Sequence, residues 1–144
     1  ETVCIGGDHG IPIPIMRALP TDKPVVLIQV DAHMDFRDEV NGEKEGYSSP
    51  IKRASELNSV SSIYQIGLRG VGSGRQQEYD DAIAYGSNLI SAYQVHELGI
   101  KAILERIPDD VNFYMTVDAD GIDPTIMPAV NAPTPGGLNW LQIR

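Results

Sequence analysis

The sequence predicts an α/β fold, a three-layer sandwich in which helices cover both faces of a mainly parallel sheet. Apolar, strand-like runs alternate along the chain with segments of helical spacing, which is the pattern of strands joined by crossover helices. The runs that end at Val30 and Val117 each turn abruptly to acidic residues, as strands do at the ligand-binding edge of such sheets. We expect a single domain over residues 1–144, without repeats or an internal linker.

The central strand is the run Val25–Val30. It consists almost entirely of Val, Leu and Ile, which favours a strand that is buried on both faces. Side chains two residues apart point the same way in an extended backbone, so Asp31, His33 and Asp35 are predicted to project together from its carboxyl end. Two carboxylates and one imidazole at that edge make half of a transition-metal site.

A short strand over Thr2–Ile5 is predicted before the central one, followed by a glycine-rich segment that presents His9 at the same edge. Taken alone, His9 would be interpreted as a hydrogen-bonded structural residue, but the acids at equivalent edges favour a metal ligand. Cys4 is expected to be a small buried hydrophobe within the strand. A short helix is predicted over residues 11–19, with prolines in its first turn.

The loop Phe36–Pro50 is polar, has no period and leaves the predicted metal edge. Loops in that place contact substrate, and we assign substrate-binding roles to Asn41 and Tyr47. The alternative for each of them is a place on a solvated surface loop. A helix is then predicted to run from Ser49, as its cap, to about Leu57.

The second half of the chain continues the alternation of strands and helices. The spacing predicts a strand over residues 62–70, a helix over 75–85 ended by Gly86, a short strand over 88–91 and a helix over 93–107. His96 on the last helix is interpreted as a surface or capping residue. The glycines after Gly70 do not form a phosphate loop, because no Gly-Lys-Ser/Thr follows them.

The final strand, Val111–Val117, repeats the arrangement of the central one, and a proline-rich segment over residues 124–137 is predicted to wall one side of a pocket. The strand ends together supply four carboxylates and two imidazoles, too many for one ion: His9, Asp31, His33, Asp35, Asp118 and Asp120. Such a set suits Mn²⁺, with Fe²⁺, Co²⁺ or Zn²⁺ as alternatives. Two ions about 3.5 to 4 Å apart would share and acidify a water, which predicts hydrolysis.

Composition restricts the partners. A formal charge of −9 and a pI near 4.6 argue against nucleic acid or an anionic membrane as the main partner, and suit a cationic ligand or a metal. The single cysteine favours a reducing compartment, so a cytoplasmic protein is expected. No run approaches the roughly 20 apolar residues of a membrane span. Neither end looks like a natural terminus, so we expect a piece of a longer protein.

Three segments resemble, in order, the metal motifs of the ureohydrolases, the arginase and agmatinase family. They are Gly6–His9, Asp31–Asp35 and Asp118–Pro124, and Gln65–Gly70 and Pro133–Leu138 also look like family segments. The resemblance runs nearly the whole chain and covers the central part of the family domain. It implies an arginase-like fold that is incomplete at both ends, and a downstream glutamate, beyond this sequence, that holds the guanidinium group.

The resemblance also implies roles for the site residues. Two Mn²⁺ per chain would be bound, with Asp31 and Asp118 bridging both ions. His9 and Asp35 would complete the first site, and His33 and Asp120 would complete the second. Asp35 would also orient a metal hydroxide that attacks the guanidino carbon to give urea and an amine. Asp123 matches the motif but is not a ligand in the family, and we expect it to fix the turn before Pro124.

Two departures from the family pattern bear on substrate and mechanism. Arginases carry acids after the Gly-Leu-Arg segment that bind the amino acid head of arginine, whereas this chain has Gly70, Val71 and Gly72. Many members carry a proton-shuttling His where this chain has Tyr47 and Ser48, and a phenol is a much weaker acid than an imidazolium.

The resemblance therefore implies an agmatinase-like amidinohydrolase that acts on a small linear guanidino compound. We expect the full-length protein to be a homo-oligomer, without nucleic acid or membrane partners, and the isolated 144-residue piece to be inactive. Two alternatives stay open. One is a non-catalytic metal-binding homologue with a sensory or structural role. The other is an unrelated two-metal phosphoesterase, which fits the ligands but not the surrounding motifs.

Overall fold

The computed structural model describes residues 2–20 and 22–144. Within these ranges, four parallel strands form one sheet in the spatial order β3-β2-β1-β4. The strands are β1 Val25–Val30, β2 Val60–Leu68, β3 Asn88–Ser91 and β4 Asn112–Val117. Because parallel neighbours cannot be joined by a hairpin, their connections cross over the sheet. The predicted parallel α/β sheet is confirmed.

The helices of the described residues fall mostly between the strands. They are α1 Pro12–Arg17, α2 Pro50–Ser55, α3 Gln76–Tyr85, α4 Ala92–Leu98, α5 Ile100–Leu104 and α6 Trp140–Ile143, with a 3₁₀ turn over Ala119–Gly121. The single helix predicted over 93–107 is wrong, because Gly99 has a φ of 82° and separates α4 from α5. Among residues 2–20 and 22–144, no helix has the length and apolar character needed to cross a bilayer.

Two apolar cores on opposite faces of the sheet make the three layers. Every residue of β1 is buried, as predicted. Its alternation sends Leu27 toward Ile51 and Ala82 of the α1–α3 layer, and it sends Ile28 toward Val95 of the α4–α5 layer. The predicted metal ligands after β1 therefore follow a strand that is packed on both faces.

The strand predicted over Thr2–Ile5 is wrong. This segment has no strand assignment, and Val3, Cys4 and Ile5 are exposed, so the predicted burial of Cys4 is wrong as well. A strand needs a neighbour to pair with its backbone groups, and none of the described strands lies alongside this segment.

Helix α2 begins at Pro50, but the predicted Ser49 side-chain cap is wrong. The Ser49 hydroxyl is buried and makes no hydrogen bond in the described structure. The amides of Ile51 and Lys52 donate instead to the main-chain carbonyl of Asp35, over 3.1 and 3.3 Å. The start of α2 therefore fixes the backbone of a predicted metal ligand.

Candidate metal centre

The acidic segments that follow β1 and β4 turn sharply at the carboxyl edge of the sheet. Strand β1 ends at Val30, and Asp35 has a φ of 47°, in the left-handed region. After β4, the chain enters the 3₁₀ turn directly beyond Asp118. The predicted continuation of strand alternation through these motifs is therefore wrong. The side chains nevertheless lie at one edge, because turns and not extended backbone bring them together.

His9 lies at the centre of a first group of donors. Its Nδ1 atom is 2.7 Å from Oδ2 of Asp35, 3.2 Å from Oδ2 of Asp31 and 3.4 Å from Oδ2 of Asp118. One ligand atom from each of His9, Asp31 and Asp35 lies within 4.8 Å of the others. We call these three residues the first trio. Behind the imidazole, Nε2 of His9 lies 3.0 Å from the hydroxyl of Thr116.

Asp31, His33 and Asp120 form a second trio with the same closeness. Nδ1 of His33 lies 3.2 Å from Oδ2 of Asp120 and 3.4 Å from Oδ1 of Asp31. Asp31 belongs to both trios and turns a different oxygen toward each. Asp118 contacts His9 through one oxygen and accepts the Asp120 amide with the other, over 3.0 Å. Its bridging of both sites stays a prediction.

The charges in the two trios depend on one another. Burial raises the pKa of Asp31, which is 1% exposed, but hydrogen bonds from His33 and His9 outweigh burial and leave this pKa well below its ordinary value. Burial lowers the pKa of His9, and its contacts with Asp31 and Asp35 more than reverse this, to about 10. The neighbouring Asp120 and Asp31 raise the pKa of His33 to about 10. Burial raises the pKa of Asp35.

This donor set fits divalent cations. Even if both imidazoles are protonated, they neutralise at most half of the four carboxylates in a largely buried cluster, and uncompensated buried charge is costly. Oxygen and imidazole donors without thiolates suit manganese and similar ions. The first trio would hold one cation and the second trio another. Binding would require the imidazoles to lose their protons.

The two trios open on a cavity of about 810 Å³, which is large enough for a small organic substrate. Tyr47 and Ser48 line it from the loop after β1, and residues 129–132 line it from the proline-rich segment, as predicted. Asn41 lies in an exposed turn with a φ of 53° and is not among the lining residues. The substrate-binding roles of Tyr47 and Asn41 stay predictions.

The family model described as Arginase family matches residues 1–144. This chain belongs to the arginase family. It is 32% identical over 144 residues to the guanidinobutyrase of Pseudomonas aeruginosa, covering 96% of this chain and 45% of that protein. It is 31% identical over 140 residues to the agmatinase of Halalkalibacterium halodurans, with 96% and 46% covered.

Solved structures of arginase-family proteins show the same fold. The agmatine ureohydrolase of Thermoplasma volcanium superposes with a TM-score of 0.82 at 36% identity, covering 96% of this chain and 46% of that one. The ureohydrolase resemblance and the arginase-like sandwich are thus confirmed. The chain spans less than half the length of these relatives.

Residues outside the motif ligands also support this arginase-family site. The guanidinium of Arg69 donates to the main-chain carbonyls of Asp120, over 2.6 Å, and Thr134, over 2.7 Å, so it ties the second trio to the proline-rich wall. Gln29 and Gln65 are buried beside Asp31. The sequence carried a signal for both glutamines, because each is a polar residue inside an otherwise apolar strand.

Asp123 and His96 are two residues that the sequence predicts to have structural and not metal-binding roles. The carboxylate of Asp123 accepts hydrogen bonds from the Thr125 hydroxyl over 2.6 Å and from the amides of Gly136 and Gly137 over 2.9 and 3.0 Å. It therefore fixes the turn and the loop that returns beside it. His96 is an exposed surface residue whose Nε2 lies 3.0 Å from the carbonyl of Gly137.

Proposed function

We propose that the full-length protein is an agmatinase-like hydrolase that cleaves a small linear guanidino compound to urea and an amine, with two Mn²⁺ ions per chain. One observation carries the proposal: two donor trios share Asp31 and open on one cavity. A shared carboxylate between two cation sites is suited to two-ion hydrolysis. The guanidinobutyrase and agmatinase relatives support a guanidino substrate.

The residues of the chain divide the chemistry between them. Two bound cations would polarise the substrate and acidify a water molecule that serves as nucleophile. Asp35 lines the cavity and orients that water toward the guanidino carbon by accepting its hydrogen bond. The carbon becomes tetrahedral. Cleavage of its bond to the alkyl nitrogen then gives urea, and the leaving amine takes up a proton.

The proton donor for the leaving amine is proposed to be a hydroxyl group. Tyr47 and Ser48 line the cavity, and Tyr47 is 63% exposed, so its phenol can approach a bound substrate. Among the described lining residues, the only imidazoles are His9 and His33, and both belong to the trios. We propose Tyr47 as this donor, at the position for which the family resemblance implies a proton-shuttling histidine.

The cavity is suited to a cationic substrate such as agmatine. Asp8, Asp118 and Asp120 line it, whereas the guanidinium of Arg37 is already paired with Glu78, over 2.8 Å between Nε and Oε1. Asp118 and Asp120 are proposed metal ligands, so a linear substrate with a cationic far end would meet Asp8, which belongs to neither trio. Residues 70–72 provide no acid to bind an amino acid head group.

The test is urea release by the full-length protein with added Mn²⁺. Agmatine, 4-guanidinobutyrate, 3-guanidinopropionate and arginine form the panel, and Asp31→Asn serves as the inactive reference. We expect release from agmatine above the other three. Release from a guanidino acid alone would refute the cationic substrate but keep the reaction. Release from none, with no metal bound, would refute the function.

A non-catalytic metal-binding homologue is the second candidate, because the described cavity lining has no imidazole outside the two trios. Two bound ions per chain without urea release from any substrate would establish it. For either candidate we propose a homo-oligomer in the cytoplasm. Light scattering on the purified protein and fractionation of its native cells test these two proposals.

A further inference from the structure

Two glutamines lie side by side at the centre of the sheet. Gln29 on β1 and Gln65 on β2 are partners in the strand register, and both are 0% exposed. Burying an amide is costly unless its donors and acceptor find partners. Both side chains lie on the α1–α3 face of the sheet, in line with Asp31, two residues beyond Gln29.

Hydrogen bonds run in one direction from Ser87 through Gln65 and Gln29 to Asp31, and we call these three donor residues the relay. Nε2 of Gln65 donates to Oε1 of Gln29 over 2.7 Å and to the carbonyl of Met34 over 2.6 Å. Nε2 of Gln29 donates to Oδ2 of Asp31 over 2.7 Å, and Ser87 donates to Oε1 of Gln65 over 3.0 Å. A carbonyl and an ionised carboxylate can only accept, so neither amide can flip.

The relay determines how Asp31 faces the two trios. Oδ2 accepts from Gln29, and Oδ1 accepts from the amide of His33 over 2.7 Å. Each oxygen thus has one fixed donor, and its remaining lone pair faces one imidazole. Oδ2 lies 3.2 Å from Nδ1 of His9, and Oδ1 lies 3.4 Å from Nδ1 of His33. The carboxylate cannot rotate to present both oxygens to one trio without breaking these bonds.

We propose that Gln29, held in place by Gln65 and Ser87, is a positioning residue of the metal centre. It acts through Asp31 and keeps one carboxylate oxygen directed at each trio, where a cation would be held. This inference rests on the metal binding in the proposed function. It differs from a purely structural role, in which the glutamines would stabilise the sheet without affecting metal affinity.

The test compares three variants of the full-length protein by calorimetric Mn²⁺ titration after metal removal. Gln29→Met retains the length of the side chain and loses the amide, and we expect about 10- to 100-fold weaker binding. Gln65→Met removes the next link and should weaken binding less. Tyr64→Phe is the matched control, because it loses a hydrogen bond from the same strand to the Arg106 carbonyl, away from the trios. It should bind Mn²⁺ as the wild type does.

A second measurement separates positioning from loss of folding. Electron paramagnetic resonance of samples loaded with two Mn²⁺ should show the signal of a coupled pair in the wild type and Tyr64→Phe, and an altered coupling in Gln29→Met. If Gln29→Met does not fold, Gln65→Met and Ser87→Ala must show the same direction of change. Unchanged affinity and coupling in the folded relay variants would overturn the positioning role alone. A wild type that binds no Mn²⁺ would overturn the proposed function itself.

Discussion

Nδ1 of His9 lies 2.7 Å from Oδ2 of Asp35, although 26 positions separate the two residues in sequence. The contact joins the glycine-rich segment before α1 to the turn after β1. On its other side, the His9 ring reaches Thr116 on β4. One imidazole therefore links three separate parts of the chain: two of them supply the first trio, and the third, at Thr116, contacts the far side of the ring.

Removing His9 should abolish binding of mainly one metal ion, whereas changing Asp31 should weaken the binding of both ions. We expect His9→Ala to lose about one Mn²⁺ per chain, because only the first trio contains His9. Asp31→Asn should weaken both sites at least about tenfold, because each trio uses one of its oxygens. Metal content after equilibrium dialysis measures the difference. His96→Ala is the control on an exposed histidine. Loss of the same single ion from His9→Ala and Asp31→Asn would refute the assignment of two sites.

Added Mn²⁺ should stabilise the folded protein through these trios. A ligand that binds only the folded state at 100 times its dissociation constant adds about 2.7 kcal/mol to the free energy of unfolding. Chemical denaturation with Mn²⁺, and again with a chelator, measures this difference. We expect most of it to disappear in Asp31→Asn. An equal gain in that variant would show that the ions act elsewhere on the acidic surface.

Much of the architecture followed from apolar pattern alone. The run Val25–Val30 predicted a strand buried on both faces because few other structures bury six consecutive residues, and Gly86 marked the end of α3. The prediction of a strand over Thr2–Ile5 was wrong because an extended segment becomes a strand only when it pairs with a neighbour. A single sequence does not say which segments are neighbours. The break at Gly99 was not predicted, because a single glycine is often tolerated inside a helix.

The candidate ligands could be predicted from residue type and place, but their geometry could not. Acids and histidines directly after apolar runs predicted the edge at which they meet. The backbone of Asp35, with its φ of 47°, is held by the first amides of α2, which donate to the carbonyl of that residue, and no local pattern encodes this. The part played by Gln29 likewise depends on its pairing with Gln65 across the sheet.

Asp123 should make the protein more sensitive to acid. Hydrogen bonds from the Thr125 side chain and amide, and from the amides of Gly136 and Gly137, lower the pKa of Asp123 from its ordinary value of 3.8 to about 2. A depressed pKa gives stabilisation that is complete above the ordinary value and is lost as the pH falls toward the folded value. Asp123→Asn should therefore flatten the fall in stability between about pH 4 and pH 2.

Denaturant unfolding at several pH values measures this slope for Asp123→Asn. The control is Asp109→Asn, in the exposed turn before β4, which should retain the slope of the wild type. If the slope of Asp123→Asn matched that of the wild type, the hydrogen bonds around Asp123 would not be coupled to folding. Loss of stability at all pH values alike would instead indicate that the turn itself has been disrupted.

Gly121 should not tolerate even a methyl group, because the end of β1 packs directly on it. A Cβ atom there would lie 2.8 Å from the amide nitrogen of Asp31 and 3.0 Å from the carbonyl carbon of Val30. These are backbone atoms, which cannot move aside as a flexible side chain can. We expect Gly121→Ala to lower the free energy of unfolding by about 1–3 kcal/mol, and to weaken Mn²⁺ binding by displacing Asp31.

Gly46→Ala is the matched control for this prediction, since its Cβ would meet nothing nearer than a side-chain carbon of Glu43 at 3.6 Å, an ordinary contact. It should change stability by no more than about 0.5 kcal/mol and leave metal binding unaltered. Chemical denaturation and Mn²⁺ titration of both variants decide the matter. If Gly121→Ala were as stable as Gly46→Ala and bound the same number of ions, the close packing of the 3₁₀ turn against Asp31 would not constrain the site. If it lost stability but kept full metal affinity, the turn would support the fold without positioning the ligand.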